Sequence, residues 1–90
     1  MKRLLVKVTG KVQGVWFRAS AQETALRLGV TGYVRNLDDG SVEMLAQGAD
    51  RAVDAMLDWA HQGPPSAQVS DVLVSDYDGS DLYLDFEVTE

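Results

Sequence analysis

An α+β fold, with two helices laid on one face of an antiparallel sheet, is predicted by three observations in this chain. Short runs alternate apolar and polar residues, as half-buried strands do. Two segments between those runs place their apolar residues at helical spacing. Their order along the 90 residues is β-α-β-β-α-β, punctuated by glycine and proline.

The first strand is read from Leu4, Val6, Val8 and Val12 on one face, with Lys7, Thr9 and Lys11 on the other. A helix follows, in which Phe17, Ala21, Ala25 and Leu28 form the inner stripe and Gly29 stands where a helix ends. Strands over Val30 to Asn36 and Ser41 to Gln47 flank Asp38-Asp39-Gly40, a hairpin signal. The second helix spans about Ala49 to His61. Asp50 favours its start, Val53, Met56, Leu57 and Ala60 form its stripe, and Gly63-Pro64-Pro65 stops it. A fourth strand is read over Val69 to Val74, and Asp76 to Asp81 is a turn. The tail Leu82 to Val88 alternates cleanly, so a closing hairpin-like pair, or one bent strand with an edge extension, is expected. Tyr83, Asp85 and Glu87 would then make the open sheet face polar. The order of elements is that of the ferredoxin-like split β-α-β sandwich.

Bulk properties narrow the function. Residues 1–90 are expected to form one domain, whose 46% apolar content supports a single thin core. There is no cysteine, hence no disulfide, thiolate nucleophile or cysteine metal site. Net charge is −6, from 14 acidic against 8 basic residues. That repels nucleic acid and anionic membrane at long range, so any phosphate binding must be local. Only a short apolar run follows Lys2-Arg3 before Lys7, which is neither a signal peptide nor a span, and the cytoplasm is the expected location. The aspartates of the turns lack the Asp-x-Asp-x-Asp-Gly run of a calcium loop, and no metal is expected.

The richest stretch is Gly10-Lys-Val-Gln-Gly-Val-Trp-Phe-Arg18, a glycine-bearing loop between a strand end and a helix start. Helix N-terminal N–H groups are unpaired and partly positive. Gly14 allows φ > 0, which turns successive N–H groups inward, and Arg18 adds a planar fork. Together they suggest an oxyanion cradle, with N–H groups from Gln13 through Gly14, Val15, Trp16 and Phe17 to Arg18. Neither a nucleotide P-loop nor a dinucleotide fingerprint is present. On this loop alone a plain strand-to-helix turn with a solvated arginine is an equal alternative. Lys11 and Arg35 would add positive potential.

A second segment, Gly32-Tyr-Val-Arg-Asn36-Leu-Asp-Asp-Gly40-Ser-Val-Glu43, reads as strand, turn and strand. Taken with Gly10, Val12, Gln13, Gly14, Val15, Phe17 and Arg18, its Gly32, Val34, Asn36, Asp39, Gly40, Val42 and Glu43 resemble the two signatures of the acylphosphatase family. Tyr33 stands where that family often has Trp. The resemblance covers the whole chain and implies metal-free, cofactor-free hydrolysis of acyl phosphates. In it Arg18 binds the phosphate and Asn36 orients the attacking water. By itself an asparagine before a turn is more often an Asx-turn residue.

The chemistry suits that implication. A carboxylate is a good leaving group and departs without a strong acid, so the step needs positioning and charge stabilisation. The expected partners are a small-molecule acyl phosphate and inorganic phosphate, with no nucleic acid or membrane, and the chain is expected to be a monomer. Two other classes fit the same element order. A non-catalytic anion-binding module would bind phosphate without turnover. An RNA-recognition module needs exposed aromatics among basic residues on central strands, which Val8, Thr9, Glu43 and Met44 do not supply. Trp16 is expected at the rim of the site, Trp59 in packing, and His61 in solvent.

Overall fold

A computed structural model describes residues 1–89. The elements are β1 (Lys2–Lys11), α1 (Phe17–Leu28), β2 (Thr31–Asn36), β3 (Val42–Gly48), α2 (Asp50–Gln62), β4 (Gln68–Asp76) and β5 (Phe86–Thr89). They form a ferredoxin-like α+β sandwich, with strand order β4-β1-β3-β2-β5. Alternation in β1 buries Leu4, Val6 and Val8 under the helices, where Val34, Met44, Phe17, Val53 and Met56 complete the core. The α1 layer covers β2 and β5, and α2 covers β1, β3 and β4. Trp59 packs on Phe17 with ring centroids 5.0 Å apart, joining the two helices. No described helix is long and apolar enough to cross a membrane.

The C-terminal tail departs from expectation. It forms no hairpin with β4, and the sheet is mixed rather than antiparallel throughout: β5 runs parallel to β2 at the opposite edge. The reason lies in α1, which overhangs β2 and needs a further strand beneath it; Phe86 fills that place, 2% exposed. Pairing starts only at Phe86, so the alternation over Leu82 to Asp85 is not a strand, and Leu84 is 97% exposed.

Residues 77–85 cross from one sheet edge to the other as a strap. Arg3 Nη1 donates to the Gly79 carbonyl at 3.3 Å. Gln47 Nε2 donates to the Asp81 carbonyl at 2.8 Å, and Tyr83 N–H donates to Gln47 Oε1 at 3.0 Å. Tyr83 also lies against Tyr33, with ring centroids 5.7 Å apart. The open face is therefore not simply polar: Leu45 and Gln47 on β3 are fully buried. A buried amide is tolerated there because both its ends are hydrogen-bonded.

Gly32 is needed where β2 meets β3. Its φ is +138°, and a Cβ at this position would run into the Leu45 carbonyl oxygen. Gly32→Ala therefore adds backbone strain to a clash that only a sheet shift relieves. The expected result is a loss of about 2–4 kcal/mol, read as a drop in thermal midpoint of roughly 10 °C or more. An unchanged melting curve by circular dichroism would contradict it.

Candidate active site

Three buried side chains pin the loop between β1 and α1: Val12, Val15 and Phe17. Between them the backbone bends sharply. Gly14 has φ 73° and Trp16 has φ 67°, the one positive-φ non-glycine residue among the described residues. An αL tryptophan costs on the order of 1–3 kcal/mol and persists only where its surroundings enforce it.

The bend leaves α1 uncapped. Its first backbone bond runs from Ser20 N–H to the Trp16 carbonyl at 3.0 Å. Trp16, at the N-cap, makes no side-chain cap, and the first turn holds no acidic residue. The N–H groups of Phe17, Arg18 and Ala19 thus have no intrahelical acceptor and sit at the positive end of the helix. The Arg18 side chain reaches across to β5, where Nη1 lies 3.4 Å from the Thr89 carbonyl oxygen.

Asn36 ends β2 and pairs with Val42 of β3. Strand alternation puts it on the same face as buried Gly32 and Val34, the helix side. Its Oδ1 is buried and accepts no hydrogen bond from any described residue. A buried acceptor with no protein partner takes its hydrogen bond from water or a ligand, which marks this position as one able to hold either.

Arg18 and Asn36 face one cleft of about 430 Å³. Of the residues expected from sequence, Gly14, Trp16, Phe17, Arg18 and Asn36 line it. Trp16 is 77% exposed and forms its lip. The Val15 side chain lies in the core instead, and that of Gln13 turns to the β2–β3 turn, so at these two positions only the backbone N–H is available to the cradle. Val12, Ala19, Gln22 and Val88 also line the cleft. Gln22 is not among the residues expected from sequence, although its place one helical turn after Arg18 was a signal for it; its Nε2 donates to the Phe86 carbonyl at 3.0 Å. Val88 was not, because only the β2–β5 pairing brings it there.

Arg35 does not add charge to the cleft. It is one residue from Asn36 and so lies on the opposite sheet face, where Nε donates to Glu43 Oε1 at 2.9 Å. Lys11 is exposed and lies outside the lining. His61 is on the last turn of α2, with Nδ1 2.9 Å from the Leu57 carbonyl oxygen. No cluster of three or more His, Cys, Asp or Glu suited to a metal occurs among the described residues.

The turn after Asn36 is braced by Asp39. Its carboxylate pairs with the Lys7 ammonium at 2.9 Å and accepts from the Ser41 N–H, also at 2.9 Å, and from the Ser41 hydroxyl. The Lys7 contact foremost, then the Ser41 donors, hold this carboxyl well below the usual carboxylate range. A lowered folded-state pKa contributes stability above the unfolded value of about 3.9 that is lost as pH falls further. Asp39→Asn is thus expected to lower stability at neutral pH, with the gap to the parent closing below about pH 4. Urea titrations at several pH values would read this, and a gap independent of pH would exclude it.

A family model described as Acylphosphatase matches residues 4–88. An acylphosphatase of Shewanella amazonensis is 51% identical over 90 residues, covering 100% of this chain and 99% of that protein. The crystal structure of acylphosphatase from Bacillus subtilis is similar with a TM-score of 0.94 at 32% identity, over 100% of both chains. An acylphosphatase structure from Coxiella burnetii is similar with a TM-score of 0.91 at 41% identity, over 98% of this chain and 92% of its own.

Proposed function

The chain belongs to the acylphosphatase family, hydrolases acting on acyl phosphates, and from that premise we propose how its own residues carry out the reaction. The phosphoryl group of the substrate sits at the uncapped start of α1. The N–H groups from the Gln13–Trp16 loop into Phe17, Arg18 and Ala19 donate to its oxygens, and the Arg18 guanidinium forks across two of them. These donors gain strength as charge redistributes in the transition state, and being fixed beforehand they need no reorganisation.

Asn36 Oδ1 accepts a hydrogen bond from the attacking water, and its amide N–H₂ is a further donor beside the phosphoryl oxygens. Water attacks phosphorus opposite the departing carboxylate. The P–O bond to the acyl oxygen breaks, its electron pair leaves with the carboxylate, and the water proton passes to the phosphate. No general acid is required, because the leaving group is already a weak base. Inorganic phosphate is then held by the same donors. On this reading residues 1–90 work as one domain, as a monomer and without a cofactor, on a small-molecule substrate.

The observation that carries the proposal is the buried Oδ1 of Asn36, without a partner among the described residues, sharing one cleft with Arg18 and an uncapped helix start. Hydrolysis of acetyl phosphate in ¹⁸O-water, with chelator present, tests it. Attack at phosphorus puts the label in inorganic phosphate; label in acetate would mean attack at the carbonyl carbon and would refute the mechanism.

A further inference from the structure

Gln13 belongs to the loop, yet its side chain turns away from the cleft. Its single amide nitrogen donates to the carbonyl oxygens of Leu37 at 2.8 Å and of Ser41 at 2.9 Å. Both amide hydrogens are thereby used. Both acceptors belong to the turn between β2 and β3, and Leu37 directly follows Asn36. Gln13 itself directly precedes Gly14, where the loop begins to bend. One side chain therefore bridges the phosphate-holding and the water-holding halves of the cleft.

Resting on the function proposed above, we propose that Gln13 is a positioning residue that sets where Asn36 stands relative to the phosphoryl cradle. The two halves are not equally secured without it. The loop keeps its buried anchors, with Val12 and Phe17 each 1% exposed and Val15 6%. The turn has exposed residues at 38–40 and is otherwise held by Leu37 N–H to the Ser41 carbonyl at 2.8 Å, by Gly40 N–H to the Leu37 carbonyl at 3.2 Å, by the Asn36–Val42 pairing at the strand ends and by the surface contacts of Asp39, with no buried apolar anchor at 38–40. Cutting the bridge leaves the cradle in place and loosens the turn. Phosphate binding is retained while the line of water attack is degraded, and a misplacement of about 1 Å costs up to ~10²-fold in rate.

The test is a mutant cycle read with acetyl phosphate as substrate and inorganic phosphate as inhibitor. Gln13→Leu is expected to lower kcat roughly ten- to a hundredfold, with the phosphate inhibition constant within about threefold of the parent. In an Asn36→Ala background the same substitution is expected to change kcat by less than about twofold, because the side chain through which it acts is gone. Equal losses in both backgrounds, or loss of phosphate inhibition in step with kcat, would overturn the proposal and assign Gln13 a purely structural role. If circular dichroism shows that Gln13→Leu does not fold, Gln13→Ala runs the same cycle with the same readouts. Absence of turnover by the folded parent would refute the proposed function, and this inference with it, before any variant is compared.

Discussion

Arg18→Ala is expected to lower kcat/KM by about 10³- to 10⁵-fold, the range over which a charge-clamping arginine acts in phosphoryl transfer. The side chain supplies the only guanidinium lining the cleft among the described residues, and its fork matches two phosphoryl oxygens at once. The remaining donors are neutral backbone N–H groups at α1, which hold a dianion more weakly. The inhibition constant of inorganic phosphate is expected to rise together with KM. Arg18→Lys keeps the charge but not the paired geometry, so it should recover only part of the loss. Folding is expected to survive, because the one described hydrogen bond of the side chain, to the Thr89 carbonyl, is long at 3.4 Å. Steady-state kinetics with a chelator, alongside a melting curve, separate the two effects. A folded Arg18→Ala protein with parental kcat/KM would remove Arg18 from the mechanism.

Asn36→Ala is expected to behave differently: kcat falls by about 10²- to 10³-fold, while inhibition by inorganic phosphate stays within about threefold. The alanine removes the group that directs water, with one amide donor, and leaves the loop N–H groups and Arg18, which carry phosphate binding, untouched. It also deletes a buried acceptor that has no partner among the described residues, so no described protein hydrogen bond is lost. The variant should therefore be about as stable as the parent. Denaturant titration checks the stability and single-turnover hydrolysis checks the rate. Parental kcat in Asn36→Ala would remove the asparagine from water positioning, and a marked loss of stability would show that its oxygen is satisfied in solution.

Much of this architecture was legible in the chain. The helical stripes of Phe17, Ala21 and Ala25 and of Val53, Met56 and Ala60 are buried as their spacing requires, and Gly29 ends α1. The loop around Gly14 was legible because glycine, a positive φ and a helix start belong together. The face of Arg35 was legible in principle, since one step along a strand reverses it. The Gln13 bridge was not. Its acceptors are backbone carbonyls 24 and 28 residues further on, and a carbonyl carries no residue identity for a pattern to detect.

Local pattern in the chain was enough to place β1 to β4, both helices and the turn between β2 and β3, and to name the residue types that could cradle an anion. Those properties depend on side-chain periodicity and backbone freedom within a few residues of chain. Packing between distant elements is what sends the tail across the sheet to lie parallel to β2, buries Gln47 under the strap, and joins Val88 to Arg18 and Asn36 at one cleft. An alternating tail satisfies any open strand edge equally well. The choice falls to the surface of α1 that Phe86 must cover, and that surface exists only once the helix has docked on the sheet.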